Sequence, residues 1–259
     1  MSGTGTANPW TGPHCSRRFV TASRPHDGPA LRHPGRRLPG ARQLRVVSWN
    51  IRSLRDGAPA VAGQLGALRP DIAVLQEAPR LLLWRASRRR LARAAGLRLV
   101  TRRRAGGNAL LVAPGVEVLS SWVEDFPKRP GLHRRSTVGA VISYDGRPLA
   151  VAGSHLDLAA GARRDTARRV RAAAPAAVPL VLGADVNEQP GGEAWALLAA
   201  GLVDAGGPPT FPADRPARRL DVLLVDPALT VLSHRAVPTS ASDHLPIVVD
   251  VDWAPEGAD

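Results

Sequence analysis

The pattern of hydrophobic and polar positions changes abruptly at Leu44. Residues 1–43 mix Pro, Gly, Arg, His and Ser and show no apolar spacing typical of a helix or a strand. Residues 44–49 are mostly apolar and partly β-branched, which predicts a strand that runs directly into Asn50. We therefore expect a disordered basic tail over residues 1–43, a folded domain over residues 44–254 and a short C-terminal tail over residues 255–259.

Helical spacings and short apolar runs predict the elements of this domain. Val61, Leu65 and Leu68 recur at helical spacing between Pro59 and Pro70, which predicts a first helix. A second helix is predicted over residues 81–95, with its solvated side formed by Arg88, Arg89, Arg90 and Arg93. Further helices are expected at residues 160–174 and 193–200, and strands at residues 72–75, 97–101, 108–113, 138–143, 149–154, 180–182, 221–225 and 247–251.

This order of elements indicates a mixed α/β domain with more than one sheet layer. Several predicted strands adjoin directly while others are separated by helices, and a simple alternating parallel barrel fits that order less well. The sequence has no run of about 18 apolar residues that would predict a membrane span. No apolar stretch follows Arg17 and Arg18 to form a secretory signal, and Cys15 is the only cysteine. We expect a soluble, cytoplasmic protein without disulfides.

The formal net charge of +13 raises the question of a nucleic-acid partner. The predicted tail, with seven arginines against Asp27, contributes +6 of this charge and the rest of the chain +7. Lys128 is the only lysine and Ala and Gly are abundant, a bias typical of a GC-rich coding genome. A functional basic surface and compositional drift therefore both stay open, as do a loose basic tail and a misassigned start codon for residues 1–43.

Residue types that bind metals or move protons follow the apolar strands. Five segments lead from a strand into such residues and a sixth begins a strand with one, and together they supply Asn50, Glu77, His155, Asp185, Asn187, Asp221, Asp243 and His244. Each has an ordinary explanation by itself, such as a turn, a strand-end acid or a structural histidine. Their joint occurrence favours one shared site, because side chains at strand ends can converge on one edge of a sheet.

Taken in order, the motifs WN, QE, SHLD, GADVN, RLDVLLV and SDHLPI resemble the signature series of the endonuclease/exonuclease/phosphatase superfamily over residues 44–253. One departure is Ala184, which separates Gly183 from Asp185 where Gly-Asp is frequent. The resemblance implies a four-layer, DNase-I-like sandwich in which two mixed β-sheets pack face to face with helices on the outside. It also implies a magnesium-dependent phosphoester hydrolase.

The resemblance further implies a metal site and a water-activating pair. Glu77 would be the principal ligand of Mg²⁺, with Asn50 and Asp243 beside it and Mn²⁺ as a possible substitute. Asp185 would orient or deprotonate the attacking water, and Asn187 would hold that water or a phosphate oxygen.

The remaining candidates would face the phosphate. His244 would contact it, with Asp221 bonded to its other ring nitrogen, and His155 would contact a second oxygen or assist the leaving group. Arg135 is a further candidate, because guanidinium geometry suits phosphate, and a solvated pair with Arg134 is the alternative.

The substrate class stays open at this level. We expect a monomeric phosphodiesterase or nuclease, with a lipid-headgroup or inositol-phosphate phosphoesterase as one alternative and an inactive binding module on the same fold as another. Nucleic acid is a candidate partner, although aromatic residues make up only 4% of the chain. Trp49, Trp84 and Trp195 lie within predicted elements, where core packing competes with base stacking.

Overall fold

The computed structural model describes residues 43–254, so the predicted tails lie outside it apart from Gln43. Four helices, α1 to α4, span Ala58–Leu68, Trp84–Ala94, Ala160–Ala173 and Glu193–Ala199. Twelve strands, β1 to β12, span Leu44–Asn50, Ile72–Gln76, Arg98–Leu99, Ala109–Val112, Glu117–Asp125, Ser136–Tyr144, Arg147–His155, Leu180–Asp185, Val203–Asp204, Asp221–Val225, Leu229–Ala236 and Ile247–Trp253. Single 3₁₀ turns lie at Arg52–Leu54 and Ala105–Gly107.

The strands form two mixed six-stranded sheets. The first has the order β11-β12-β1-β2-β4-β3, and the second has the order β5-β6-β7-β8-β10-β9. In each sheet one central pair is parallel, β1 with β2 and β7 with β8, and the other pairs are antiparallel. The carboxyl ends of β1 and β2 therefore lie side by side in the first sheet, and those of β7 and β8 lie side by side in the second.

The alternation of side chains along the central strands creates three hydrophobic layers. Val46 and Val74 face the other sheet, where they join Val138 and Leu223 in the main core. Val47, on the opposite side of β1, packs in a layer shared with α1 and α2, and a third layer lies between the second sheet and helices α3 and α4. Because both faces of these strands are buried, their sequences are mostly apolar. The predicted four-layer sandwich is confirmed.

Glycines let the two sheets approach closely at their centre. A Cβ atom at Gly153 would lie 2.1 Å from Val74 Cγ1, and one at Gly183 would lie 2.8 Å from Ser48 Oγ. That serine accepts a 3.0 Å hydrogen bond from Gln76 Nε2. The close contact brings the ends of β1 and β2 next to the ends of β7 and β8.

A partly buried ion pair joins β1 to β12. Arg45 Nε lies 2.7 Å from Asp250 Oδ1, and Ser233 Oγ donates to Asp250 Oδ2 at 2.9 Å. Burial by itself would raise the pKa of Asp250, but the hydrogen bonds from Arg45 and Ser233 outweigh it and hold that pKa below its usual value.

Three features differ from the sequence prediction. Strands β5, β9 and β11 were not predicted, because these edge strands are partly exposed and carry polar residues. Helix α2 begins at Trp84 rather than Leu81. The prediction that Arg88 is solvated is wrong, since its side chain is 1% exposed. Among residues 43–254, no helix is long and apolar enough to cross a bilayer.

Candidate active site

Strand ends from both sheets surround one cleft. Asn50 ends β1, and Glu77 follows β2. In the second sheet, His155 pairs in register with Asp185, which in turn lies opposite Asp221 across the antiparallel pair of β8 and β10. The cleft has a volume of about 390 Å³ and is lined by Asn50, Ser53, Arg55, Glu77, Arg80, Gly106, His133, Arg135, His155, Leu158, Asp185, Asn187 and His244.

Asp185 is the most connected side chain of the cleft and is 1% exposed. Its Oδ2 atom accepts a 2.9 Å hydrogen bond from Asn50 Nδ2 and lies 3.3 Å from His155 Nε2. Its Oδ1 atom accepts a 3.1 Å bond from the backbone N–H of Asn187, and His244 Nε2 lies 3.9 Å from Oδ2. These contacts fix the orientation of a carboxylate that opens onto the cleft.

Asn50 and Glu77 lie side by side. Asn50 Nδ2 is 3.3 Å from Glu77 Oε1, while Asn50 Oδ1 accepts a 3.0 Å bond from the backbone N–H of Arg52. The backbone of Glu77 has a φ of 51°, an uncommon value for a residue other than glycine, and its carbonyl accepts a 2.9 Å bond from Ser53. The short turn after β1 therefore holds the loop after β2 against the cleft.

Asp243 points differently from these two residues. Its Oδ2 atom lies 3.3 Å from Arg52 Nε, and its side chain is 35% exposed. Asp243 is not among the residues that line the cleft. Of the three predicted metal ligands, the structure brings Asn50 and Glu77 together and pairs Asp243 with a cation.

His244 forms a buried pair with Asp221. The two residues meet through Nδ1 and Oδ2 at 2.9 Å, and Thr210 Oγ1 donates to the same Oδ2 at 2.6 Å. Burial by itself would lower the pKa of His244, but the carboxylates of Asp221, Asp185 and Asp243 raise it to about 9. The ring is consequently an imidazolium at neutral pH, and its Nε2 atom faces the cleft beside Asp185.

His155 has the opposite electrostatic character. Burial lowers its pKa to about 4, and the nearby Arg135 adds to the effect while Asp185 opposes it. Asn187 Nδ2 lies 3.0 Å from His155 Nε2 and also donates to the carbonyl oxygen of Leu156 at 3.0 Å. At neutral pH His155 is therefore neutral, whereas His244 is cationic.

Residues 47–244 match the sequence profile described as the Endonuclease/Exonuclease/phosphatase family. This chain belongs to the endonuclease/exonuclease/phosphatase family. Among curated proteins, none matches the sequence.

Solved structures of similar fold include members of this family. A mannosyl-6-phosphatase from Bacteroides thetaiotaomicron VPI-5482 is 16% identical, with a TM-score of 0.71 over 81% of this chain and 100% of that one. D. rerio TDP2, in complex with a single-strand DNA product, is 21% identical, with a TM-score of 0.67 over 81% and 99%. The human Nocturnin catalytic domain with bound sulfate is 20% identical, with a TM-score of 0.64 over 82% and 95%. At these identities the likeness establishes the fold.

Two groups of side chains at the cleft of this protein could hold a cation. Asp185, Asp221 and His244 offer ligand atoms within 4.8 Å of one another. That group fits a metal poorly, because an imidazolium bonded to Asp221 has no free lone pair. Asn50 and Glu77 fit a magnesium ion better, because they offer oxygen atoms once the Asn50 amide is turned about its last bond.

Sequence reasoning missed several polar side chains of the cleft. Arg55 and Arg80 line it, and so does the exposed His133. Arg135 lines it as well, but it is buried and its Nε atom lies 3.0 Å from Asp157 Oδ1, so the solvated alternative for Arg135 is wrong. The only signal in the sequence that could have indicated these residues was closeness to a predicted site residue, since Arg80 follows Glu77 by three residues.

Proposed function

We propose that this member of the endonuclease/exonuclease/phosphatase family is a magnesium-dependent phosphoester hydrolase that acts by in-line attack of an activated water. The observation that carries the proposal is the buried Asp185 carboxylate. Hydrogen bonds from Asn50 Nδ2 and from the backbone N–H of Asn187 hold it at a cleft that is rich in cations. Water activation needs an oriented base, and a developing negative charge needs fixed cations nearby.

Asn50 and Glu77 would hold the magnesium ion in this proposal. When bound, the ion would supply positive charge against the phosphoryl oxygens. Asp243 remains a candidate third ligand, which would first have to leave its contact with Arg52 Nε at 3.3 Å.

The protein's own groups divide the remaining tasks. Asp185 would accept the proton of the attacking water, and Asn187 would hold that water or a phosphate oxygen. His244, kept cationic by Asp221, would donate a hydrogen bond from Nε2 to the phosphate. His155, neutral because it is buried, would bond a second phosphate oxygen or the leaving group without adding charge.

A phosphodiester, with nucleic acid as the leading candidate, is the substrate that we propose. Arg55, Arg80 and Arg135 extend the cationic lining beyond the reacting centre, which suits a substrate with several phosphates. The similar structures include a mannosyl-6-phosphatase and a protein bound to single-strand DNA, so monoesters and diesters belong in the same test. We also propose that the protein is a cytoplasmic monomer.

The test is hydrolysis of bis-p-nitrophenyl phosphate, p-nitrophenyl phosphate, inositol phosphates, sphingomyelin, and plasmid and abasic DNA, each with magnesium and with EDTA. We expect magnesium-dependent release that falls by about 10²- to 10⁴-fold in Asp185→Asn. Asp165→Asn, on the surface of α3, is the matched control and should retain full activity. Turnover that survives Asp185→Asn would contradict the role of Asp185, and activity unchanged by EDTA would contradict the metal. No turnover of any substrate by the folded protein would favour the binding module.

A further inference from the structure

Three consecutive leucines are exposed directly beside the cleft. Leu81, Leu82 and Leu83, here called the leucine loop, are 78%, 90% and 70% exposed. Arg80, which lines the cleft, immediately precedes them. Exposed single leucines are ordinary, but in residues 43–254 no other run of three large hydrophobic side chains is exposed.

The backbone holds the leucine loop outward. Leu83 has a φ of 58°, in the left-handed region, and precedes the first residue of α2. The N–H of Trp84 donates to the carbonyl of Leu81 at 3.2 Å, and the N–H of Ser87 donates to the carbonyl of Leu83 at 3.0 Å. The buried side of α2 is formed by residues further along, including Leu91. The leucines thus lie exposed in a hydrogen-bonded turn and are absent from the core clusters.

The chain around the leucine loop carries positive charge without acidic residues. Residues 78–116 contain ten arginines and neither Asp nor Glu. Arg85 and Arg89 of α2 are exposed and line a recess of about 420 Å³ together with the exposed Arg102. Arg85 Nη2 donates to the carbonyl oxygen of Arg102 at 3.1 Å, which keeps these two cations together.

We propose that the leucine loop and the Arg85, Arg89 and Arg102 cluster form a docking surface for an anionic lipid bilayer. An exposed apolar turn beside a basic helix matches a membrane interface, where leucines enter the acyl boundary and arginines bind anionic headgroups. Such docking would place the rim of the cleft at the membrane surface.

Other partners match these features less well. Nucleic acid would satisfy the arginines, but aliphatic leucines cannot stack on bases as aromatic side chains do. A protein partner would need an apolar site surrounded by acidic residues, whereas an anionic bilayer supplies an apolar interior and acidic headgroups over its whole surface. The combination of positive charge and exposed aliphatic side chains therefore favours lipid.

Vesicle flotation tests the proposal with phosphatidylcholine vesicles that contain or lack phosphatidylglycerol. We expect the full chain to bind only the anionic vesicles and to dissociate as salt is raised. Replacing all three leucines of the loop by serine should weaken binding by about tenfold or more. The matched control is Leu119→Ser with Leu232→Ser, which removes exposed leucines from edge strands β5 and β11 and should bind as the parent does.

The arginines have a charge-matched control. The triple change Arg85→Gln, Arg89→Gln and Arg102→Gln should weaken binding by up to about a hundredfold, at about fivefold for each arginine. The changes Arg164→Gln, Arg168→Gln and Arg169→Gln on α3 remove the same charge elsewhere and should cost much less.

Three results would overturn the docking surface. They are failure of the parent to bind anionic vesicles, equal binding by the leucine-loop and control variants, and self-association that the leucine-loop variant abolishes without any vesicle binding. Loss of DNA binding in the arginine variant, with vesicle binding unchanged, would assign the cluster to nucleic acid instead. The leucine-loop variant should keep its hydrolysis of soluble bis-p-nitrophenyl phosphate and its unfolding temperature, which separates this result from the hydrolase proposal.

Discussion

Replacement of Arg88 by methionine should destabilise the protein strongly, although Arg88 lies on the most basic helix. The Arg88 guanidinium is buried and donates to three carbonyl oxygens at 2.9 Å or less, those of Pro79, Asn108 and Arg104. It also reaches the carbonyl of Ala78 at 3.4 Å. Arg88 therefore joins the loop that follows Glu77 to the loop that precedes β4.

The magnitude follows from these contacts. A hydrogen bond to a charged group contributes about 1.5–3 kcal/mol, and its removal here leaves buried carbonyls without a partner. Relief of the burial of a charge, which already lowers the Arg88 pKa to about 10, offsets part of this loss. We expect Arg88→Met to reduce the free energy of unfolding by about 3–5 kcal/mol, or roughly 10 °C in melting temperature.

Urea denaturation followed by circular dichroism measures the effect. Arg89→Met, an exposed change on the same helix, should alter the unfolding free energy by less than about 0.5 kcal/mol. If Arg88→Met is as stable as Arg89→Met, the carbonyl contacts contribute nothing and the reasoning is refuted. If the variant folds, its turnover should fall as well, because the Glu77 loop loses its anchor.

Three further predictions concern protonation and packing. Asp221→Asn should lower the pKa of His244 from about 9 by about 1–3 pH units, measured by NMR titration of the imidazole, and an unchanged midpoint would contradict the pairing. Because the pKa of Asp250 is depressed in the fold, its contribution is present above the reference value of 3.8 and is lost as pH falls below it. Asp250→Asn should consequently cost about 1–3 kcal/mol at pH 7, with the difference shrinking below pH 3.8 in urea denaturation at several pH values. Gly153→Ala should reduce the free energy of unfolding by about 1–3 kcal/mol, since the added methyl meets a β2 valine at 2.1 Å. Gly161→Ala, in open space on α3, is the control and should be neutral or stabilising. Equal stability of the two variants would argue against tight packing of the sheets.

The central strands could be predicted from the sequence because both of their faces are buried. Continuous apolar runs such as residues 72–75 leave little choice of structure, and the polar residues that follow them stand out for that reason. Asn50, Asp185 and His155 were predicted as strand-end residues, and the structure places all three at one cleft. Edge strands such as β11 follow a weaker pattern, because solvent accepts polar side chains on a strand that is paired on one side only.

The tertiary structure decided which partners the polar residues meet. Arg88 and Arg89 are the same residue type at adjacent positions of α2. The Arg88 side chain nevertheless donates to buried carbonyl oxygens, whereas Arg89 is exposed to solvent. His155 ends β7 and His244 precedes β12, but burial keeps His155 neutral while Asp221 keeps His244 charged. The sequence by itself determined the sheet and helix layers and the residue types at the strand ends. The reason is that the apolar pattern of a strand or helix, which indicates its burial, lies within that element's own residues. Pairing, protonation and the direction of Asp243 depend on groups far apart in the chain, and only folding brings these together.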